Sequence, residues 1–178
     1  MSDVEVKIDG ETFPAHKLIL SQAPFFQTMF SSALGEAGTT TRPVIKLQQH
    51  GVTAAAFHVV LEFLYKVTTD PILPGGCSLL EVHTAARFFM LTTLEELCKD
   101  ALAKALSVEV LVPYLRYAQL HELGDLKMLC LNYASESNAR LGDLMATEDY
   151  ISMVTEDREL HMELVEHLRG DGKKRRGS

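Results

Sequence analysis

The stretch Phe13-Pro14-Ala15-His16-Lys17-Leu18-Ile19-Leu20 decides how this chain begins to fold. Just upstream, Val4, Val6 and Ile8 alternate with Glu5, Lys7 and Asp9, a period of two that places three apolar side chains on one face of a strand. Asp9-Gly10 lies between the two runs as a tight-turn dipeptide, so together they read as a β-hairpin. The pattern predicts a return strand from about Thr12 to Leu18, with Leu18, Ile19 and Leu20 carried into the core. Pro14 cannot donate to a ladder, so one side of that strand must lack a partner.

Downstream, Phe25, Phe26, Met29 and Phe30 fall at helical spacing behind Pro24, which suits a first turn. Gly35, Gly38 and three Thr mark a loop closed by Pro43 and a short strand, Val44 to Leu47. From there the period changes to 3.6. Thr53 to Tyr65 is apolar around most of its circumference and reads as a central buried helix. After a Pro/Gly-rich turn from Pro71 to Gly76, Ser78-Leu79-Leu80-Glu81 and Thr93-Leu94-Glu95-Glu96 are capping boxes opening two helices. Ser107 and Gly124 punctuate two more, Tyr150 to Leu168 forms one further amphipathic helix, and Lys173-Lys174-Arg175-Arg176 sits in a Gly-flanked tail. A small early sheet followed by about six to eight helices is an α+β domain running into a helical annex.

The 178 residues are 47% hydrophobic and 23% charged, enough apolar content to bury a core without metal or disulfide staples. Lys and Arg number 17 against 24 Asp and Glu, a net charge of −7, which argues against a phosphate-tracking face and hence against nucleic acid as a ligand. Cys77, Cys98 and Cys130 form neither a disulfide framework nor a Cys-x-x-Cys pair, and the latter two, set among Leu and Met, read as small buried hydrophobes in a reducing compartment. No leader-like start or membrane-length apolar run is visible, so the expectation from the sequence is a protein of the cytoplasm or nucleus. His121-Glu122 lacks the second His of a zinc-peptidase helix, and His161 and His167, six apart, do not share a helix face. With no phosphate-cradling Gly-rich loop and no nucleophile elbow, the sequence names no catalytic residue, metal ligand or cofactor, and points to a binding module.

The order of these elements meets recognisable motifs. Ser2-Asp3-Val4, Phe13 through Leu20, Pro24-Phe25-Phe26 and Met29-Phe30 resemble the opening of BTB/POZ domains. Phe63-Leu64-Tyr65, Ala85-Ala86-Arg87-Phe88-Phe89 and Leu94-Glu95-Glu96-Leu97-Cys98 are similar to the later motifs of that family. Ala118-Gln119-Leu120-His121 and Leu126 through Tyr133 are similar to the 3-box, the helical pair that follows the domain in the speckle-type POZ group and begins the longer BACK region. The resemblance implies a BTB/POZ fold, a three-stranded sheet flanked by helices, over residues 1–106. It implies 3-box/BACK-like helices over 107–168 and leaves a disordered basic tail over 169–178. Ala23 stands where the family usually has Ser before Pro24, and Lys66-Val67 replace its Thr-Gly after Tyr65.

For function, the resemblance implies a non-catalytic ubiquitin-ligase substrate adaptor that binds the N-terminal helices of cullin-3. The family's hydrophobic-x-Glu motif falls at Leu34-Gly35-Glu36, Tyr133 aligns with the 3-box contact, and a homodimer would form around Ile19. A Leu in a Gly-flanked loop suits a partner's groove, and a carboxylate two residues on can fix register. The alternative is a BTB self-association scaffold in transcriptional or cytoskeletal assembly, in which Ile19 matters and Leu34 does not. A monomer of the elongin C kind also stays open. The sequence contains no substrate-reading module such as MATH, Kelch or ankyrin repeats, so the expectation is that the substrate site lies either in a part outside this sequence or in the helical annex.

Overall fold

The computed structural model describes residues 2–32, 43–47, 51–66 and 77–175, with side chains through 169. The chain divides into two compact units, Met1–Leu102 and Ala103–Ser178.

In the first unit the strands are β1 (Val4–Ile8), β2 (Glu11–Ala15) and β3 (Val44–Lys46). They form one sheet in the order β2-β1-β3, with β2 antiparallel and β3 parallel to the central strand. Val4, Val6 and Ile8 are fully buried, as the alternation requires. Asp9 and Gly10 take φ of 50° and 83°, the two left-handed positions of a hairpin turn that matches strand twist. Pro14 is tolerated because β2 is an edge strand paired only with β1.

The return strand stops at Ala15, short of the predicted Leu18. Lys17–Leu20 instead forms a one-turn helix, α1. The Lys17 amide at its start donates to Asp3 Oδ1 at 2.8 Å, a cap supplied by the residue before β1, while the Ile19 and Leu20 amides donate to the His16 carbonyl. Leu18 therefore turns outward at 81% exposure while Leu20 is buried, which corrects the expectation that all three apolar residues enter the core.

Behind the sheet lie α2 (Pro24–Ser32), α3 (Ala54–Lys66), α4 (Leu79–Phe88) and α5 (Thr92–Ala105). Asp9 does a second job here: its Oδ2 accepts the Ala54 amide at 3.1 Å and ties the hairpin turn to the start of α3. The core centres on Phe26, Phe57 and Phe89, the first and last stacked at 5.1 Å between centroids. Phe13 meets Phe57 edge-on at 5.2 Å, joining sheet to helices. The Ser78 capping box is present in both directions. The second box is not used: α5 begins at Thr92, so Thr93 lies inside the helix and buried Leu91 precedes it.

The second unit is helical: α6 (Val108–Leu120), α7 (Gly124–Ser135), α8 (Asn138–Met145), α9 (Glu148–Glu156) and α10 (Arg158–Arg175). α6 and α7 pack as an antiparallel pair through a short turn at His121–Leu123, and α9 and α10 pack against them. Leu111, Leu115, Leu126, Cys130, Met153 and Leu164 are buried in this unit. The single helix predicted from Tyr150 to Leu168 is broken at Asp157, whose φ of −120° and ψ of 60° leave the helical region. The break frees the Asp157 carboxylate to accept from Arg116 Nε at 2.6 Å, while Arg116 Nη2 reaches Ser152 Oγ at 2.9 Å and Glu156 Oε2 at 3.2 Å. The segment expected to be a disordered tail from 169 has helical backbone as far as Arg175; α10 is anchored by buried Leu160 and Leu164, and extending a formed helix is cheap once its first turns are fixed. A three-stranded sheet flanked by helices and followed by a helical extension is the architecture the sequence implied.

Candidate interaction surfaces

Two surfaces emerge, one in each unit. In the first, the hairpin and the end of α3 converge on His16. Its backbone N–H donates to the Tyr65 hydroxyl at 3.1 Å, and its Nδ1 lies 2.7 Å from the same oxygen. The rings sit 5.9 Å apart. Asp3, His16, Lys17 and Tyr65 thus come from motifs far apart in sequence and meet around the N-terminus of α1.

On α1 itself Ile19 is half-buried and packs against the core of its unit. Leu18 beside it is the most exposed large apolar side chain described in the protein, with Tyr65 44% exposed. Alternation alone assigns Leu18 to a strand, whereas the chain turns helical at Lys17, whose amide donates to Asp3 Oδ1. Leu34 and Glu36 lie between α2 and β3, outside the described residues.

In the second unit Tyr133 occupies the last turn of α7 and is half-buried. The Arg140 guanidinium lies over its ring, 3.8 Å from the centroid. Arg140 Nη1 donates to the Tyr133 carbonyl at 2.8 Å and to Glu136 Oε2 at 2.7 Å. No sequence signal foretells this contact, because Arg140 is seven residues on and across a helix break.

Burial pushes Cys98 and Cys130 up to about 12, and burial followed by the nearby Glu81 carboxylate pushes Cys77 up to about 11. Cys98 and Cys130 are fully buried, as small hydrophobes would be. No helix among the described residues is long and apolar enough to cross a membrane.

Known proteins are similar in the same region. The chain is 28% identical over 153 residues to mouse "Kelch repeat and BTB domain-containing protein 4", covering 85% of this chain and 27% of that protein. It is 27% identical over 168 residues to "BTB/POZ and MATH domain-containing protein 6" of Arabidopsis thaliana, covering 83% of this chain and 38% of the relative. The chain thus spans well under half the length of these curated relatives. Among solved structures, the BTB domain of zebrafish PATZ1 is 26% identical, with a TM-score of 0.44 over 58% of this chain and 76% of that one. The BTB/POZ domain family matches residues 1–106, the span that holds the hairpin, the capped α1 turn and the phenylalanine core. With that match covering more than half of its length, the chain belongs to the BTB/POZ family, whose domain is a protein-interaction fold.

Proposed function

We propose that this protein is a substrate adaptor of a cullin-3 ubiquitin ligase, docking the cullin N-terminal helices through Leu34, Glu36 and Tyr133. The observation that supports it most is the succession, along one chain, of a BTB/POZ unit and a helical hairpin, α6–α7, that holds Tyr133 half-exposed near its end. Leu34 acts as the apolar anchor and Glu36 fixes register by a charged contact. Relatives that join a BTB domain to Kelch repeats or a MATH domain support the adaptor role, since such a second module is where a substrate would be read. The test is titration calorimetry of the cullin-3 N-terminal domain against the wild-type chain and Leu34→Asp. The expected loss on substitution is about 30-fold to 1000-fold in affinity, the scale of a central apolar anchor. A folded wild-type chain that does not bind overturns the proposal.

A second reading, self-association, is favoured by Leu18 at 81% exposure beside half-buried Ile19. An apolar side chain that exposed gains most from being covered by a partner. As a scaffold without cullin binding, this reading rests on the apolar face around Ile19 and does not use Leu34. Sedimentation velocity of Leu18→Asp tests it: self-association predicts a smaller species than the wild type, and an unchanged species contradicts it.

A further inference from the structure

We propose that Arg140 is the positioning residue for Tyr133, holding the phenol in one orientation for a partner; the partner's identity rests on the cullin-3 reading above. Three contacts converge on one guanidinium. It covers one face of the Tyr133 ring at 3.8 Å from the centroid, its Nη1 donates to the carbonyl of the same residue at 2.8 Å, and Nη1 also reaches Glu136 Oε2 at 2.7 Å. Tyr133 stands in the last turn of α7, where carbonyls lack intrahelical partners and a cation is favoured. Arg140 meets that need and the ring at once. Contact with both backbone and ring leaves Tyr133 little freedom to change rotamer, because turning the phenol would forfeit the stacking while the carbonyl bond stays.

The consequence is directional. One ring face is taken, and among the described residues the Tyr133 hydroxyl has no hydrogen-bond partner, so that end is left to accept from or donate to a partner. Arg140 is about a quarter exposed and Glu136 more than half, so the pair forms the polar border of the phenol. Arg suits this position better than Lys, since an ammonium lacks the planar group that stacks on a ring while donating in its own plane.

The experiment has two readouts. The first is NMR of the free chain: the side-chain protons of Arg140 are expected at upfield positions from the Tyr133 ring current, and Tyr133→Leu returns them to ordinary values. The second is calorimetry against the cullin-3 N-terminal domain. Arg140→Met is expected to weaken binding about 3- to 10-fold and Arg140→Lys by less, with no further loss when Arg140→Met is added to Tyr133→Ala. Ordinary Arg140 shifts in the wild type, or an equal loss from Arg140→Met with and without Tyr133, overturns the proposal. Upfield shifts in a chain that binds no cullin-3 keep the ring contact and sink the cullin reading alone.

Discussion

Leu18 and Leu20 are two positions apart on one turn of helix and face opposite surroundings, 81% exposed against fully buried. Leu20→Ala should cost about 2–5 kcal/mol in urea denaturation, whereas Leu18→Asp should stay within about 0.5 kcal/mol. Similar costs for the two would contradict the one-turn helix. The thiols give a second test at this scale. With Cys77 pushed up to about 11 and Cys98 and Cys130 to about 12, all three are overwhelmingly protonated at pH 8. Only the thiolate alkylates, so the rate at Cys77 should rise about tenfold per pH unit between pH 8 and 10, the range below its raised value. Peptide mapping after iodoacetamide treatment of the native chain should find Cys77 modified first, since it alone of the three is only half-buried. Early modification of Cys98 or Cys130 would show that the cores open more readily than their packing implies.

Elements whose signals are local were legible in the sequence, and those whose signals come from a distance were not. The hairpin followed from alternation and Asp9-Gly10, and α4 from the Ser78 box, where the Glu81 amide donates to Ser78 Oγ at 3.2 Å and the Ser78 amide to Glu81 Oε2 at 2.8 Å. Ser78→Ala should therefore cost about 1 kcal/mol by thermal melting, and an unchanged transition would mean the box contributes nothing. The end of β2 is not legible locally, because the Lys17 amide that opens α1 donates to Asp3, fourteen residues earlier. The break between α9 and α10 is not visible in the sequence because periodicity runs through it; Asp157 leaves the helical region there and its carboxylate accepts from Arg116 on α6. Arg116→Met should then speed amide hydrogen exchange from Ser152 to Asp157 while leaving α7 unaffected. Unchanged exchange over that segment in the variant would show that the Arg116 contacts do not hold the end of α9. α8 escaped notice because only Leu144 among its residues is buried, too few for a periodic signal.

At the scale of the whole molecule, one chain carries a BTB/POZ unit and a helical unit, each with its own core. The fold class could be read from hairpin chemistry and the switch of period, because both are written in near neighbours. The proposed interaction residues can be named only through family motifs: Ile19 and Tyr133 are half-buried, and their surroundings, Leu18 in one unit and Arg140 in the other, are products of packing. The proposed roles in self-association and cullin docking use separate residues and so should be separable in solution. The most direct measurement is sedimentation velocity of Leu18→Asp mixed with the cullin-3 N-terminal domain. The account predicts that the variant no longer self-associates yet still co-sediments with the cullin domain, and that adding Leu34→Asp abolishes co-sedimentation. A folded variant that sediments apart from the cullin domain would contradict the adaptor claim.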